Sequence, residues 1–245
     1  MAFNLPTEVV ELPSKGLLYP SDSPLASGKV EMKYMTAKEE DILTNQNYLR
    51  QGIAIDKLLQ SMIVSPINYN ELLIGDRDAL MLAARILSYG KDYSFNYKGK
   101  EHKVDLTTYQ ARELDESKYP AGQNEFTFTL PDTGNILTFK LLTHGDEGKI
   151  DAEIKGLQKI NQESSTQVTT RLKYIITSIN GSRELKDVRD FVDNAFLARE
   201  ARAFREHYSS LLPGIDYTTR VVTNGVEEDV ELPIGLNFFW PDAWV

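Results

Sequence analysis

Leu72–Gly90 reads LLIGDRDALMLAARILSYG. From Ala79 to Leu87 its only polar side chain is Arg85, and a helix that is apolar on nearly every face is normally a buried one. Gly75-Asp76 marks a start, with Asp76 as N-cap, and Gly90 marks the stop. The apolar run falls well short of the roughly 20 residues that cross a bilayer, so the stretch reads as a central core helix and not as a membrane span. Asp76, Arg77 and Asp78 cluster at its mouth. Helix capping and local ion pairing explain that cluster more simply than a binding site does.

Upstream of this helix, Ile55, Leu58, Leu59, Met62 and Ile63 keep helical spacing, which predicts a helix over about Ile53–Val64 that stops at Ser65-Pro66. Thr36-Ala37-Lys38-Glu39 is a capping box and opens a helix to about Thr44. Lys29–Tyr34 alternates Val30, Met32 and Tyr34 with charges, as a half-buried strand does. Before it, Ala2–Ser27 carries Pro6, Pro13, Pro20 and Pro24, a density that blocks helix and predicts an extended arm. The arm is nonetheless apolar, through Val9, Val10, Leu12, Leu17, Leu18 and Tyr19. It is expected to lie along a surface, either of its own domain or of a neighbouring subunit.

Downstream, the hydrophobic period changes from 3.6 to 2. Tyr93, Phe95 and Tyr97 lead to a turn at Lys98-Gly99-Lys100, and His102–Leu106 returns as the second strand of a hairpin. EFTFTL and NILTFKLL form a second hairpin around Pro131-Asp132-Thr133-Gly134. From Thr143 to Leu212 the pattern reads as helical throughout. Ile150, Ile154, Leu157 and Ile160 line the first helix, with Thr143 as its cap. Val168, Leu172, Ile175 and Ile179 line the second, and Leu185, Val188, Phe191 and Val192 the third. Leu197, Ala201, Phe204, Tyr208 and Leu211 line the fourth, flanked by a solvated face of Arg199, Glu200, Arg202, Arg205 and Glu206. A third hairpin, Tyr217–Val222 with Glu227–Leu232, turns at Asn224-Gly225 and leads into an aromatic tail with Phe238, Phe239, Trp240 and Trp244. A disordered tail rarely carries that much apolar surface.

The fold class is therefore α+β: a mainly helical core with three β-hairpins and an extended N-terminal arm. The segments are an arm over residues 1–28, a strand and helical half over 29–90, a hairpin region over 91–142, a helical bundle over 143–214, and a last hairpin with its tail over 215–245.

The chain has 245 residues, a formal net charge of −9 and no cysteine. The charge argues against a nucleic-acid footprint and against an anionic membrane surface. Without cysteine there is no disulfide, thiolate catalysis or Cys-based zinc site. MAFNLPTEVVELPSKG has no basic n-region followed by an apolar stretch, so no signal peptide is expected, and a cytoplasm-like compartment is. His102, His144 and His207 have no ligand-spaced partners. P-loop, dinucleotide and nucleophile-elbow motifs are missing from the sequence. Two acidic runs, Glu39-Glu40-Asp41 and Glu227-Glu228-Asp229, sit where exposure is expected, at a helix start and on a hairpin strand. A hydrolase would need such acids held at a defined separation in a cleft. Tyr93, Phe95 and Tyr97 could stack bases only beside a basic groove.

Taken in order, VELPSKGLLYP, TAKEEDIL, GIAIDKLLQSMI, LLIGDRDALMLAARILSYG and PIGLNFFWPD resemble the baseplate hub protein family of contractile-tailed (T-even-type) bacteriophages, the hub subunit or hub assembly factor. The resemblance covers almost the whole chain. It implies a non-enzymatic protein of host-cytoplasm assembly and of the virion tail baseplate. Such a protein forms the central hub, or helps to form it as an assembly chaperone absent from the finished particle. Its implied partners are other baseplate, hub and tail-tube proteins, in a ring-forming oligomer, with no nucleic acid, membrane, cofactor or metal. Hairpins of knuckle shape are implied at Tyr97–Glu101 and Val222–Val226, here without the cysteines that would hold a metal. Leu12, Leu17, Leu18, Tyr19, Phe238, Phe239, Trp240 and Trp244 are the candidate partner-interface residues, because large apolar side chains at chain ends make interface anchors.

Overall fold

In the computed structural model, which describes residues 6–160, 166–223 and 225–239, the first half of the chain runs as two strands and four helices. These are β1 (Thr7–Glu11), β2 (Lys29–Lys33), α1 (Ala37–Thr44), α2 (Gln46–Gln51), α3 (Ala54–Met62) and α4 (Ile74–Tyr89). Strands β3 (Asp92–Tyr97), β4 (Lys100–Asp105), β5 (Phe126–Thr129) and β6 (Ile136–Phe139) follow. The second half holds α5 (His144–Ile160), α6 (Gln167–Ile175), β7 (Ile176–Ile179), α7 (Leu185–Asn194), α8 (Ala198–Ser210), β8 (Thr218–Thr223) and β9 (Val226–Glu231). The class is α+β, as the hydrophobic periods indicate.

The apolar stretch forms α4 and buries Ala79, Leu80, Met81, Leu82, Ala84 and Arg85. It begins three residues earlier than the sequence suggests. Leu73 occupies the N-cap position, and Asp76 lies buried in the first turn instead of capping. Glycine at position 75 is required by a close approach, since a Cβ there would lie 1.8 Å from the Pro213 carbonyl oxygen. Gly90 ends the helix and donates its N–H to Ile86 O.

The capping box of α1 forms as read, with Thr36 N donating to Glu39 Oε2 at 3.0 Å. Glu39 is not an exposed member of an acidic run, however. It is fully buried and accepts from Lys33 Nζ and Ser61 Oγ, both at 2.8 Å. Glu200 is likewise buried and not part of the solvated face of α8. It accepts from Asp132 N and Thr133 N and so fastens the β5–β6 turn to that helix.

The three expected hairpins are present as β3–β4, β5–β6 and β8–β9. Lys98 and Gly99 both take positive φ, 48° and 77°, as a two-residue turn matched to the strand twist requires. The tip of the first hairpin meets the last, where Tyr97 Oη donates to Glu228 Oε2 at 3.0 Å and Lys98 Nζ to the same oxygen at 2.6 Å. One expected helical segment is a strand: Ile176–Ile179 pairs with β6 and completes the sheet β5-β6-β7.

The N-terminal segment is a built part of the fold and not a free arm. Its β1 pairs antiparallel with β2 over Thr7–Glu11. Three successive turns, Lys15 N to Leu12 O, Leu17 N to Ser14 O and Tyr19 N to Gly16 O, then fold the chain back. Leu12, Leu18 and Tyr19 join a single hydrophobic cluster that also takes in Leu80, Leu82, Phe139, Ile150, Phe204 and Phe238.

Candidate functional site

Helix α4 holds the segments around Ser14–Tyr19 and Phe238, and the polar groups at its two ends are the means. At its mouth, Asp76 accepts three hydrogen bonds from the N-terminal segment: from Ser14 N at 2.8 Å, Ser14 Oγ at 2.6 Å and Tyr19 Oη at 2.6 Å. Tyr19 Oη in turn accepts from Leu73 N at 2.9 Å. Burial pushes the Asp76 carboxyl up from its ordinary range, against the pull of its three donors. Burial, then the neighbouring Asp76 carboxylate, pushes the Tyr19 phenol up as well. No cation reaches Asp76 among the described residues. A buried carboxylate without a counter-charge is held by its donors alone, so each of them matters.

The rest of the cluster pairs locally. Arg77 donates through Nε and Nη2 to Asp56 Oδ1, at 3.0 and 2.8 Å, and through Nε to Tyr69 Oη at 3.2 Å. Asp78 faces a cleft of about 270 Å³ with Glu147, Arg112, Arg171 and Glu231 on its walls. Burial raises its carboxyl, with Arg77 pulling the other way and Glu147 adding to the rise. Glu147 is engaged in a two-toothed pair with Arg171, at 2.7 and 2.6 Å.

At the other end of α4, Arg85 is 2% exposed. It donates to three backbone carbonyls, Phe238 O at 2.8 Å, Gly90 O at 3.1 Å and Asp92 O at 3.3 Å. Its guanidinium carbon lies 5.2 Å from the Tyr89 ring centroid and 5.6 Å from that of Tyr93. Phe238 stands edge-on to Tyr93 at 5.0 Å and to Phe239 at 5.6 Å. A guanidinium can be buried this way because its N–H groups fan out to several acceptors and its plane stacks on aromatic faces.

These placements correct the expectation for the candidate interface residues. Leu12, Leu18, Tyr19, Phe238 and Phe239 are buried in the chain's own core. In this structure their apolar surface is covered by the chain itself. Leu17 is half-buried and packs against the same cluster. Trp240 and Trp244 lie outside the described residues. Tyr93 and Phe95 are buried as well, so their rings are closed to stacking bases. Two residues that matter here were not singled out by motif, Ser14 and Arg85. The lone charge in an apolar helix was the available signal for Arg85.

The histidines sit in packing roles. His144 stands edge-on to Tyr69 at 4.7 Å, and His207 stacks on Phe128 at 4.7 Å. Among the described residues, no group of three or more His, Asp or Glu is placed to hold a metal ion, and no helix is long and apolar enough to cross a membrane.

The protein-family model described as T4 bacteriophage base plate protein matches residues 7–240. No curated protein matches the chain, and no solved structure does.

Proposed function

Because the chain belongs to the T4 bacteriophage base plate protein family, we propose that it is a non-enzymatic building block of the central hub of the baseplate, working through contacts with other hub, baseplate and tail-tube proteins. The observation that carries this reading is the extent of the match. Residues 7–240 take in both end segments and the helix that holds them, so the whole fold is the family's and not one grafted module.

The geometry supports a building block in a second way. Charged side chains on five helices are engaged in internal pairs: Arg77 with Asp56, Arg171 with Glu147, Arg189 with Glu153. Such pairs add little stability one by one when exposed, but they tie α3 to α4, and α5 to both α6 and α7. In this reading the chain is made and assembled in the host cytoplasm, joins a ring-forming oligomer at the tail axis, and remains in the virion.

The test is a phage in which the reading frame is interrupted early, examined by electron microscopy of the lysate. Tails without finished baseplates are expected, with recovery when the intact chain is supplied in trans. Infectious particles of normal morphology would overturn the proposal.

A further inference from the structure

β1 closes one side of its sheet. Leu12 N donates to Gly28 O at 2.8 Å and Tyr34 N to Pro6 O at 3.3 Å. With the register Glu8↔Met32 and Val10↔Val30, these bonds set the alternation of an antiparallel pair: residues 8 and 10 bond to β2, and the N–H and C=O groups of Thr7, Val9 and Glu11 face outward. No strand pairs with that outer edge among the described residues. The far side of β2 is in use, since Glu31 O accepts from Val64 N at 2.8 Å.

Exposed edges are normally blunted by Lys, Pro or a bulge. β1 has no Lys, Pro or bulge, and Glu8 and Glu11 are its only charges: it keeps five consecutive pairs without a register shift, and its residues are TEVVE. Val9 on this edge is 60% exposed. β9 carries four acids, Glu227, Glu228, Asp229 and Glu231, against two on β1.

We propose that this edge pairs with the same edge of a second copy of the chain, antiparallel, with Val9 on the two-fold axis. The sequence of β1 is complementary to itself in that register. Val9 faces Val9 of the second copy, Thr7 faces its Glu11, and Glu8 faces its Val10, so no carboxylate stands directly opposite another. Every outward-facing residue of β1 then exchanges both backbone bonds, and the two sheets join as one four-stranded sheet with an isologous interface. Glu11 keeps Lys29 at 3.5 Å within its own chain, and Glu8 keeps the Tyr34 hydroxyl at 3.4 Å. The two Glu8 side chains come within one diagonal step, so pairing strengthens as salt screens them.

The chain has no cysteine, which makes a single introduced thiol a clean reporter. Hydrogen-bonded strand partners have Cα atoms about 5.5 Å apart, inside the range a disulfide spans. The Val9→Cys chain should therefore oxidise to a covalent dimer. The Val64→Cys chain, with its thiol on the side of β2 away from β1 and its native residue 49% exposed, should not. Sedimentation equilibrium of the unaltered full chain should show a reversible dimer. Val9→Pro removes an N–H that faces away from β2, a position where an edge strand tolerates proline. It should weaken the dimer by at least about tenfold in Kd while leaving the melting midpoint of the monomer in place. An unaltered chain that stays monomeric at ~100 μM, a typical weak-affinity concentration, would overturn the proposal. So would equal cross-linking of the two thiol variants, or a Val9→Pro chain that dimerises as before.

Discussion

Replacing Tyr19 by Phe removes one oxygen and no packing volume, which makes it the cleanest probe of how the N-terminal segment is held. That oxygen has two partners, both buried: it donates to Asp76 Oδ2 at 2.6 Å and accepts from Leu73 N at 2.9 Å. Losing a buried hydrogen bond costs about 1 kcal/mol, and leaving a buried N–H without an acceptor costs about 1–3 kcal/mol. Tyr19→Phe should thus lose about 3 kcal/mol in urea unfolding at pH 7, with the slope of the transition unchanged. The pH dependence has a definite sign. Burial raises the folded-state pKa of Asp76 above its unfolded value, so its contribution is most favourable below the unfolded pKa and is lost as pH rises through the folded pKa. Tyr19→Phe withdraws a donor from the ionised form, so its cost should be larger above the folded pKa of Asp76 than below it. A loss below about 0.5 kcal/mol at pH 7, or one that grows as pH falls, would refute the view that this hydroxyl fastens the segment to α4.

Three further perturbations test other parts of the fold. Burial would raise the Glu39 carboxyl, but donation from Lys33, Thr36 and Ser61 outweighs it and lowers the group to about 2. Its stabilisation is present above the unfolded pKa and lost as pH falls toward 2, so Glu39→Gln should flatten the acid limb of stability by about 2 kcal/mol; parallel pH profiles would contradict this. Arg85→Met deletes the donors to Phe238, Gly90 and Asp92. Hydrogen exchange at the amide of Phe238 should accelerate ahead of that in the middle of α4, and uniform exchange across both would count against the latch. Phe238→Ala should cost about 3–5 kcal/mol in chemical unfolding, as a core truncation does, whereas an interface anchor would leave the isolated chain's stability nearly unchanged.

Much of this architecture was legible in the residues. The buried helix, the Thr36–Glu39 capping box and all three hairpins follow from hydrophobic period and turn chemistry, which are local properties. In the sequence Ile176–Ile179 reads as helix because Leu172, Ile175 and Ile179 also fit a helical stripe. What decides for strand is the open edge of β6, a partner distant in sequence. α2 escaped notice because QNYLRQ buries no residue and so has no stripe to read. The apolar excess of both chain ends was visible, but whether a neighbour or the chain itself covers it depends on Asp76 and Arg85. The donors to Asp76 lie 57 and 62 positions away, and the acceptor that ties Arg85 to the C-terminal segment, Phe238 O, lies 153 positions away. A charge inside an apolar helix says that something must satisfy it, without saying what. No motif marked the outer edge of β1, since an unpaired edge is defined by the absence of a neighbour.

The most direct test of the building-block reading is quantitative mass spectrometry of purified phage particles. A baseplate component should appear at a fixed ratio to the other baseplate proteins from one preparation to the next. A chain abundant in the infected-cell lysate and absent from purified particles would contradict it, and would identify the protein as an assembly factor that leaves before the particle is complete.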